Sequence, residues 1–438
     1  MELRTSEVAE ATGGRLVGPD VTVAGAAIDS RRVGGGELFV PIVAERDGHD
    51  FVTAAVRAGA AATLTARRAA TWGEDGPGVP AIEVDDTGAA LAHLGLHARD
   101  RLPDRVVGIT GSVGKTSVKD LLAAALAARW RATASPGSFN NELGVPLTLL
   151  NAPGDAEAVV VEMGARGIGH IASLCAIARP TVAVVTRVAA AHTEMFGGLD
   201  RVAEAKGELV EALPPTGAAV LNAGDPRVAG MAARTTARVV TFGTGGDVRA
   251  EEVTLGDDLR AAFRLVGPWG AADVRLAARG GHMVDNALAA ATAALVCDVP
   301  LAGVAAALGE ARLSRWRMEL VTLPSGARVL NDAYNANPAS MAAALGALAA
   351  LPARRRVAVL GVMAELGETS DADHEAVAAR ADELGIEVVA VAAPAYGVPT
   401  VPDLDAAAAA LAGLGEGDAV LLKGSRVAGL ERLVSLLG

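Results

Sequence analysis

The chain has 438 residues, 51% hydrophobic but only 3% aromatic, and a net charge of −12. That length suggests about three domains with sizeable cores, and with so few rings the cores must be built from Ala, Val and Leu. The acidic balance argues against nucleic acid or an anionic membrane as the main partner, and no apolar run approaches the ~20 residues of a membrane span.

The opening residues Met1-Glu-Leu-Arg-Thr-Ser-Glu7 lack the apolar segment of a secretion signal, so a cytoplasmic protein is expected. Residues 1–102 read as one unit. A turn-rich loop from Asp29 to Pro41 leads into a strand, Asp50 to Gly59 reads as a helix, and Ala62 to Ala66 as a strand. Pro103-Asp104 reads as a linker.

Next comes Val106-Val-Gly-Ile-Thr-Gly-Ser-Val-Gly-Lys-Thr-Ser117. A β-branched run breaks into a glycine-rich turn, and a helical pattern follows from Asp120 to Ala128. Strand, turn and helix in that order are the setting of a phosphate-binding loop. Backbone N–H groups at a helix N-terminus point at anionic oxygens, and the helix dipole favours negative charge there. Lys115 would reach the β- and γ-phosphates and the Thr116 hydroxyl would ligate Mg²⁺. The usual pattern places a glycine five residues before the one preceding the lysine, but that position is Ile109. The loop is the tighter Gly111-x-x-Gly114-Lys115-Thr116, with Ser112 and Ser117 inside the same turn.

Asn140 and Asn141 precede Gly144-Val-Pro146 and suit a helix cap, with a ligand-facing role as the sharper reading. Ala158 to Glu162 is a buried strand ending in a carboxylate, well placed for Mg²⁺ at the carboxyl end of a parallel sheet. Thr181 to Thr186 and Ala218 to Asn222 are further strands, and His192 follows the first of them. Lys206 lies on a predicted helix, residues 239–279 are strand-rich with turn breaks and read as an antiparallel extension, and Asn286 to Val296 is helical. Residues 103–312 therefore form a second unit with a mostly parallel sheet. Residues 313–438, with strands at Arg356 to Leu360, Glu387 to Val391 and Ala419 to Leu422, form a third open α/β unit. Cys175 and Cys297 sit in apolar helical patterns and read as reduced core residues.

In this order, over essentially the whole chain, these segments resemble the Mur ligases, ATP-dependent amide-forming enzymes of peptidoglycan precursor assembly. The shortened loop Gly111 to Ser117 is similar to that family's own. The resemblance implies an α/β fold of three domains, with a P-loop-type central sheet between a small N-terminal α/β domain and a C-terminal Rossmann-like domain. It implies ATP and two Mg²⁺ ions, held by Thr116 and Glu162 and by His192 and Lys206, with Lys206 carbamylated by CO₂. Asn286, Arg317, Asp332, Asn335 and Asn337 would contact the nucleotide. Asp29, Ser30, Arg31 and His49 would receive a UDP-sugar, and Asn140, Asn141 and Lys423 would face substrate.

Asp332-Ala-Tyr-Asn-Ala-Asn-Pro338, Leu360-Gly-Val-Met-Ala-Glu-Leu-Gly367 and Leu421-Leu-Lys-Gly-Ser-Arg426 are similar to one branch. That branch joins D-alanyl-D-alanine to a UDP-N-acetylmuramoyl-tripeptide, and a monomer is expected. The chain departs from it at Arg187-Val-Ala-Ala-Ala-His192, where the branch has Asn-Ile-Gly-Pro-Ala-His, and at Val362, where it has aspartate. Rival ligases of folylpolyglutamate or cyanophycin type would share the ATP chemistry without these last segments. The Asn-Lys-x-Asp of a GTPase and the Leu-Ser-Gly-Gly of a transport ATPase are both missing.

Overall fold

The computed structural model describes residues 1–68, 78–189 and 196–438. Among these residues the strands form five sheets. The largest parallel one runs Arg238–Phe242, Ala218–Asn222, Val182–Val185, Val106–Thr110, Ala158–Glu162, Ala132–Ala134 from edge to edge. Every neighbouring pair in it is parallel. A sheet covered on both faces needs apolar residues at every position, and Val106–Thr110 and Ala158–Glu162 are buried throughout. Alternation divides them between two cores. Val107 and Ile109 join one apolar cluster, and Val106 joins the other.

Val106–Thr110 is first of these strands in the chain but lies inside the sheet, between Val182–Val185 and Ala158–Glu162. The winding direction reverses there, and in open α/β sheets ligands bind beyond the carboxyl ends of the strands at that switch. Helix Lys115–Ala127 starts at this point. The strand-rich stretch predicted over 239–279 divides in two. Arg238–Phe242 completes the parallel sheet, while Arg249–Leu255, Arg260–Gly267 and Gly270–Arg279 form a separate antiparallel sheet.

Three further sheets flank the parallel one in sequence. Arg15–Val17, Ala81–Glu83, Ala62–Thr65, Leu38–Phe39 and Ala26–Ala27 make a five-stranded sheet, and Glu2–Arg4 pairs with Thr22–Ala24 beside it. Near the C-terminus the order is Glu319–Thr322, Arg328–Asn331, Asp418–Lys423, Arg355–Leu360, Glu387–Val391, Thr400–Val401, parallel except for the first strand. One apolar cluster continues from Ile109 and Leu122 through Leu288 to Leu345 and Leu421, so the C-terminal sheet shares a core with the central one.

The Pro103-Asp104 linker is pinned. Helix Thr87–Arg99 is capped by Asp86, which accepts from Gly88 N and Ala89 N. It ends in a buried arginine whose guanidinium donates to four carbonyls: Ala178 and Arg179 across the junction, and Leu102 and Pro103 in the linker. Removing it leaves these carbonyls, two of them in fully buried bonds, without their partner. Arg99→Ala is expected to cost roughly 2–4 kcal/mol, read from the urea unfolding midpoint. An unchanged midpoint would mean that the junction does not depend on these bonds.

Both cysteines are buried and unbridged. Burial pushes each thiol up to about 12, as expected for inert core residues. Among the described residues no helix is long and apolar enough to cross a membrane.

Candidate active site

The turn after Val106–Thr110 is built from two glycines that accept no substitute. Gly111 has φ 148°, and a Cβ there would lie 1.9 Å from Thr186 Oγ1. Gly114 has φ 86°, and its Cβ would meet Asn286 Oδ1 at 2.5 Å. The backbone can thus pass tightly under Thr186 on one side and Asn286 on the other, and enter helix Lys115–Ala127 with its first amides uncapped by any side chain. Ser112 closes the turn from behind, donating to Ala189 O at 2.9 Å.

Thr116 is the meeting point of three parts of the chain. Its hydroxyl donates to Glu162 Oε2 at 2.9 Å and accepts from Arg317 at 3.0 Å. Glu162 is buried at the carboxyl end of its strand, and its other oxygen, Oε1, accepts from Asn140 Nδ2 at 2.8 Å. Asn140 therefore orients the carboxylate. Asn141, not Asn140, supports helix Gly144–Leu150: its Oδ1 accepts from Gly144 N, the first helical amide, at 2.9 Å, while the N-cap position itself is Leu143. Arg317 lies over the Tyr334 ring at 4.3 Å, and the Tyr334 hydroxyl pairs with Ser138. Two polar contacts thus join the C-terminal sheet's loops to the phosphate-loop side of the cleft.

Two lysines enter the same space. Lys115 Nζ donates to Gly111 O at 2.7 Å. Burial lowers its pKa from the ordinary value, Glu162 opposes that, and Arg317 adds to it. Lys206 projects from helix Leu199–Glu211 and is buried. Burial first, then the charge of Lys115, brings its amine down to about 7. Two residues on, Glu208 accepts from Gly169 N and Ala172 N at the start of helix His170–Ala178, locking the lysine-bearing helix against the segment that follows Glu162.

A cleft of about 590 Å³ gathers these groups. It is lined by Ser112, Gly114 to Ser117, Asn140, Asn141, Glu162, Lys206, Asn286, Arg317, Asp332, Asn335, Asn337 and Lys423. Most of the residues singled out from sequence are therefore together. Several act locally. Asn337 caps helix Pro338–Ala350, and Asn335 Oδ1 accepts from Ala336 N. Lys423, expected to face substrate, is buried and donates to Asp332 Oδ2 at 2.5 Å and Asn335 O at 3.0 Å.

Asp29, Ser30, Arg31 and His49 are not in the lining. Asp29 pairs with Arg31, which holds its carboxyl at about 2. His49 has both ring nitrogens engaged, with Asp47 and with Ala66 N, so no polar atom of the ring is left for a ligand. His192 lies outside the described residues.

The cleft also contains residues that sequence reasoning passed over. Thr186, Tyr334 and His282 line it. Thr186 follows a parallel strand and carried that positional signal; Tyr334 sits inside a quoted segment, and His282 inside the Gly281 to Leu288 segment whose resemblance singled out Asn286. Arg187, one of the departures, reaches the cleft with its guanidinium 3.9 Å from Asp285.

Hard oxygen donors suit Mg²⁺, which takes one or two carboxylates together with phosphate oxygens. Thr116 Oγ1 and Glu162 Oε2 supply such a pair, with a guanidinium already drawn to the same oxygen. Among the described residues no group of three or more His, Cys, Asp or Glu side chains could hold a metal.

Residues 109–294 match the Mur ligase middle domain, and residues 316–426 match the Mur ligase glutamate ligase domain. The chain is 41% identical to the UDP-N-acetylmuramoyl-tripeptide–D-alanyl-D-alanine ligase of Mycobacterium tuberculosis, over 100% of this chain and 98% of that one. The crystal structure of MurF from Acinetobacter baumannii superposes with a TM-score of 0.89 at 30% identity, covering 100% of this chain and 99% of the other. MurF ligase from Thermotoga maritima, solved in complex with ADP, superposes with a TM-score of 0.82 at 29% identity, covering 95% and 97%.

Proposed function

The chain belongs to the Mur ligase family, and from that premise we propose that it joins D-alanyl-D-alanine to a UDP-N-acetylmuramoyl-tripeptide at the expense of ATP. A carboxylate resists attack by an amine because its leaving group would be oxide. Transfer of the ATP γ-phosphoryl group to the peptide carboxylate gives an acyl phosphate. The dipeptide amine then attacks the carbonyl carbon, the C–O bond breaks, and inorganic phosphate leaves.

The observation that carries this reading is Thr116, held between Glu162 and Arg317. Phosphoryl transfer asks chiefly for positioning and for relief of charge repulsion between two anions. The loop amides and Lys115 would hold the phosphates. Arg317 would face them from the opposite wall, with Asn286 and Asp332 on the nucleotide. Asn140 keeps the Glu162 carboxylate aimed at Thr116. Walls drawn from both sides of the cleft would exclude water from the acyl phosphate.

Thr116 and Glu162 would hold Mg²⁺, which supplies charge neutralisation on the phosphate oxygens. Lys206 and His192 would serve a second ion, with Lys206 as a carbamate. An amine brought to about 7 is substantially neutral at physiological pH, the form that adds CO₂, and the positive Lys115 beside it favours an anionic product. Three domains, 1–102, 103–312 and 313–438, would carry the UDP-sugar, the ATP and the acceptor; each hydrogen-bonded sheet begins and ends within one of them. We read the enzyme as a cytoplasmic monomer.

The test is phosphate release from ATP with the UDP-linked tripeptide, comparing D-alanyl-D-alanine with single amino acids. Release should depend on the dipeptide. Equal use of free D-alanine or another single amino acid would overturn the acceptor assignment.

A further inference from the structure

Arg317 reaches Thr116 from an unusual stretch of backbone. Trp316 has φ 61° and Met318 has φ 54°, so a left-handed residue stands on each side of the arginine. Side-chain-bearing residues keep such conformations only where their surroundings over-determine them. Both are braced by a single segment, Lys423-Gly-Ser-Arg426, directly at Trp316 and through Asp332 at Met318. On one side, Lys423 donates to Asp332 Oδ2, and the other carboxylate oxygen, Oδ1, accepts from Met318 N at 3.2 Å. On the other side, the Arg426 guanidinium lies 4.1 Å from the Trp316 ring and is held from behind by Glu431 at 2.7 Å.

The base of this grip is rigid. Lys423 ends strand Asp418–Lys423, which lies between Arg328–Asn331 and Arg355–Leu360. Asp332 directly follows the neighbouring strand Arg328–Asn331 and is tied to Asp418–Lys423 by a backbone bond, Asp332 N donating to Leu422 O at 3.0 Å.

We propose that Lys423-Gly-Ser-Arg426 is a clamp that fixes the Trp316-Arg317-Met318 turn and so aims the Arg317 guanidinium across the cleft. Arg426 is then a positioning residue. It is half exposed and absent from the cleft lining, so its influence on the reaction passes through Trp316 to Arg317. This rests on the reading of Arg317 as the group facing the phosphates.

A double-mutant cycle on the full chain tests it, with Arg426→Ala, Arg317→Ala and the double variant compared by kcat and KM for each substrate. Arg317→Ala should lower kcat by about a hundredfold or more. Arg426→Ala should lower kcat by about three- to fivefold, the worth of an exposed cation–π contact, with KM for the UDP-linked substrate unchanged. The double variant should match Arg317→Ala, because the clamp has nothing left to aim. Arg426→Lys, which keeps a cation over the ring, should recover most of the loss, and Trp316→Leu should reproduce it should Arg426→Ala fold poorly. Multiplicative losses in the double variant overturn the clamp while leaving the reading of Arg317 intact. Full activity in Arg317→Ala overturns the reading of Arg317 itself.

Discussion

Lys115→Ala is expected to reduce ATP-dependent phosphate release by about a thousandfold or more, while the folded state persists. The ammonium sits in the turn with its charge disfavoured by burial and donates to the loop's own Gly111 carbonyl. Removing it takes away a charge whose burial is unfavourable, so the melting temperature should hold or rise slightly. A charge that burial disfavours is one whose benefit, on the proposed reading, comes with the phosphates. A phosphate-release assay paired with a thermal melt separates the two effects. Normal turnover in this variant would remove the loop from the mechanism.

Lys206→Ala should be nearly as damaging, and it carries a distinctive rescue. If the working group is a carbamate, what the variant lacks is an anionic oxygen rather than a cation. Formate or acetate supplied in solution should then restore part of the activity, and methylamine should not. The native enzyme should also respond to pH in a definite direction. Its amine is depressed to about 7, so the neutral form that adds CO₂ grows as pH rises through that value, and bicarbonate-dependent activation should grow with it. A dispensable lysine would end the carbamate idea, as would rescue by the amine and not by the carboxylates.

Much of the site was legible because its parts announce themselves locally. The phosphate loop is contiguous, and Glu162 ends a strand whose apolar run is easy to see, so its place at the sheet's carboxyl edge followed from the α/β pattern. What was not legible depends on contacts between distant residues. Asn140 looked like a helix cap because capping is a short-range property, whereas its bond to Glu162 spans 22 residues. Lys423 was assigned to the substrate by resemblance alone, since a single lysine in a sequence does not reveal its partner. Its partner Asp332 stands 91 residues away, just past the end of the adjacent strand. Arg317 was assigned to the nucleotide by resemblance, but its support on Tyr334 and the left-handed turn that carries it have no sequence signature, since neither flanking residue is Gly or Asn. The fold shows the same division. The strand-rich stretch near 239–279 was recognised, and its split between two sheets was not, because pairing partners are chosen by register over long distances.

The scarcity of aromatic side chains has a consequence for how this molecule can vary. Helix Met283–Val296 buries Ala287, Ala289, Ala290, Ala291, Ala293 and Ala294 in the cluster that also joins the C-terminal sheet to the central one. Alanine has no rotamers to freeze on folding, so this interior is ordered at little side-chain entropic cost, and it is thin, with neighbouring backbones lying close. Its tolerance to mutation is therefore lopsided. Trimming a methyl group leaves only a small void, whereas enlarging one of these positions forces a helix away from its neighbours. Drift in this family member is channelled towards exchanges among its smallest residues, and growth in side-chain volume is left to the rim.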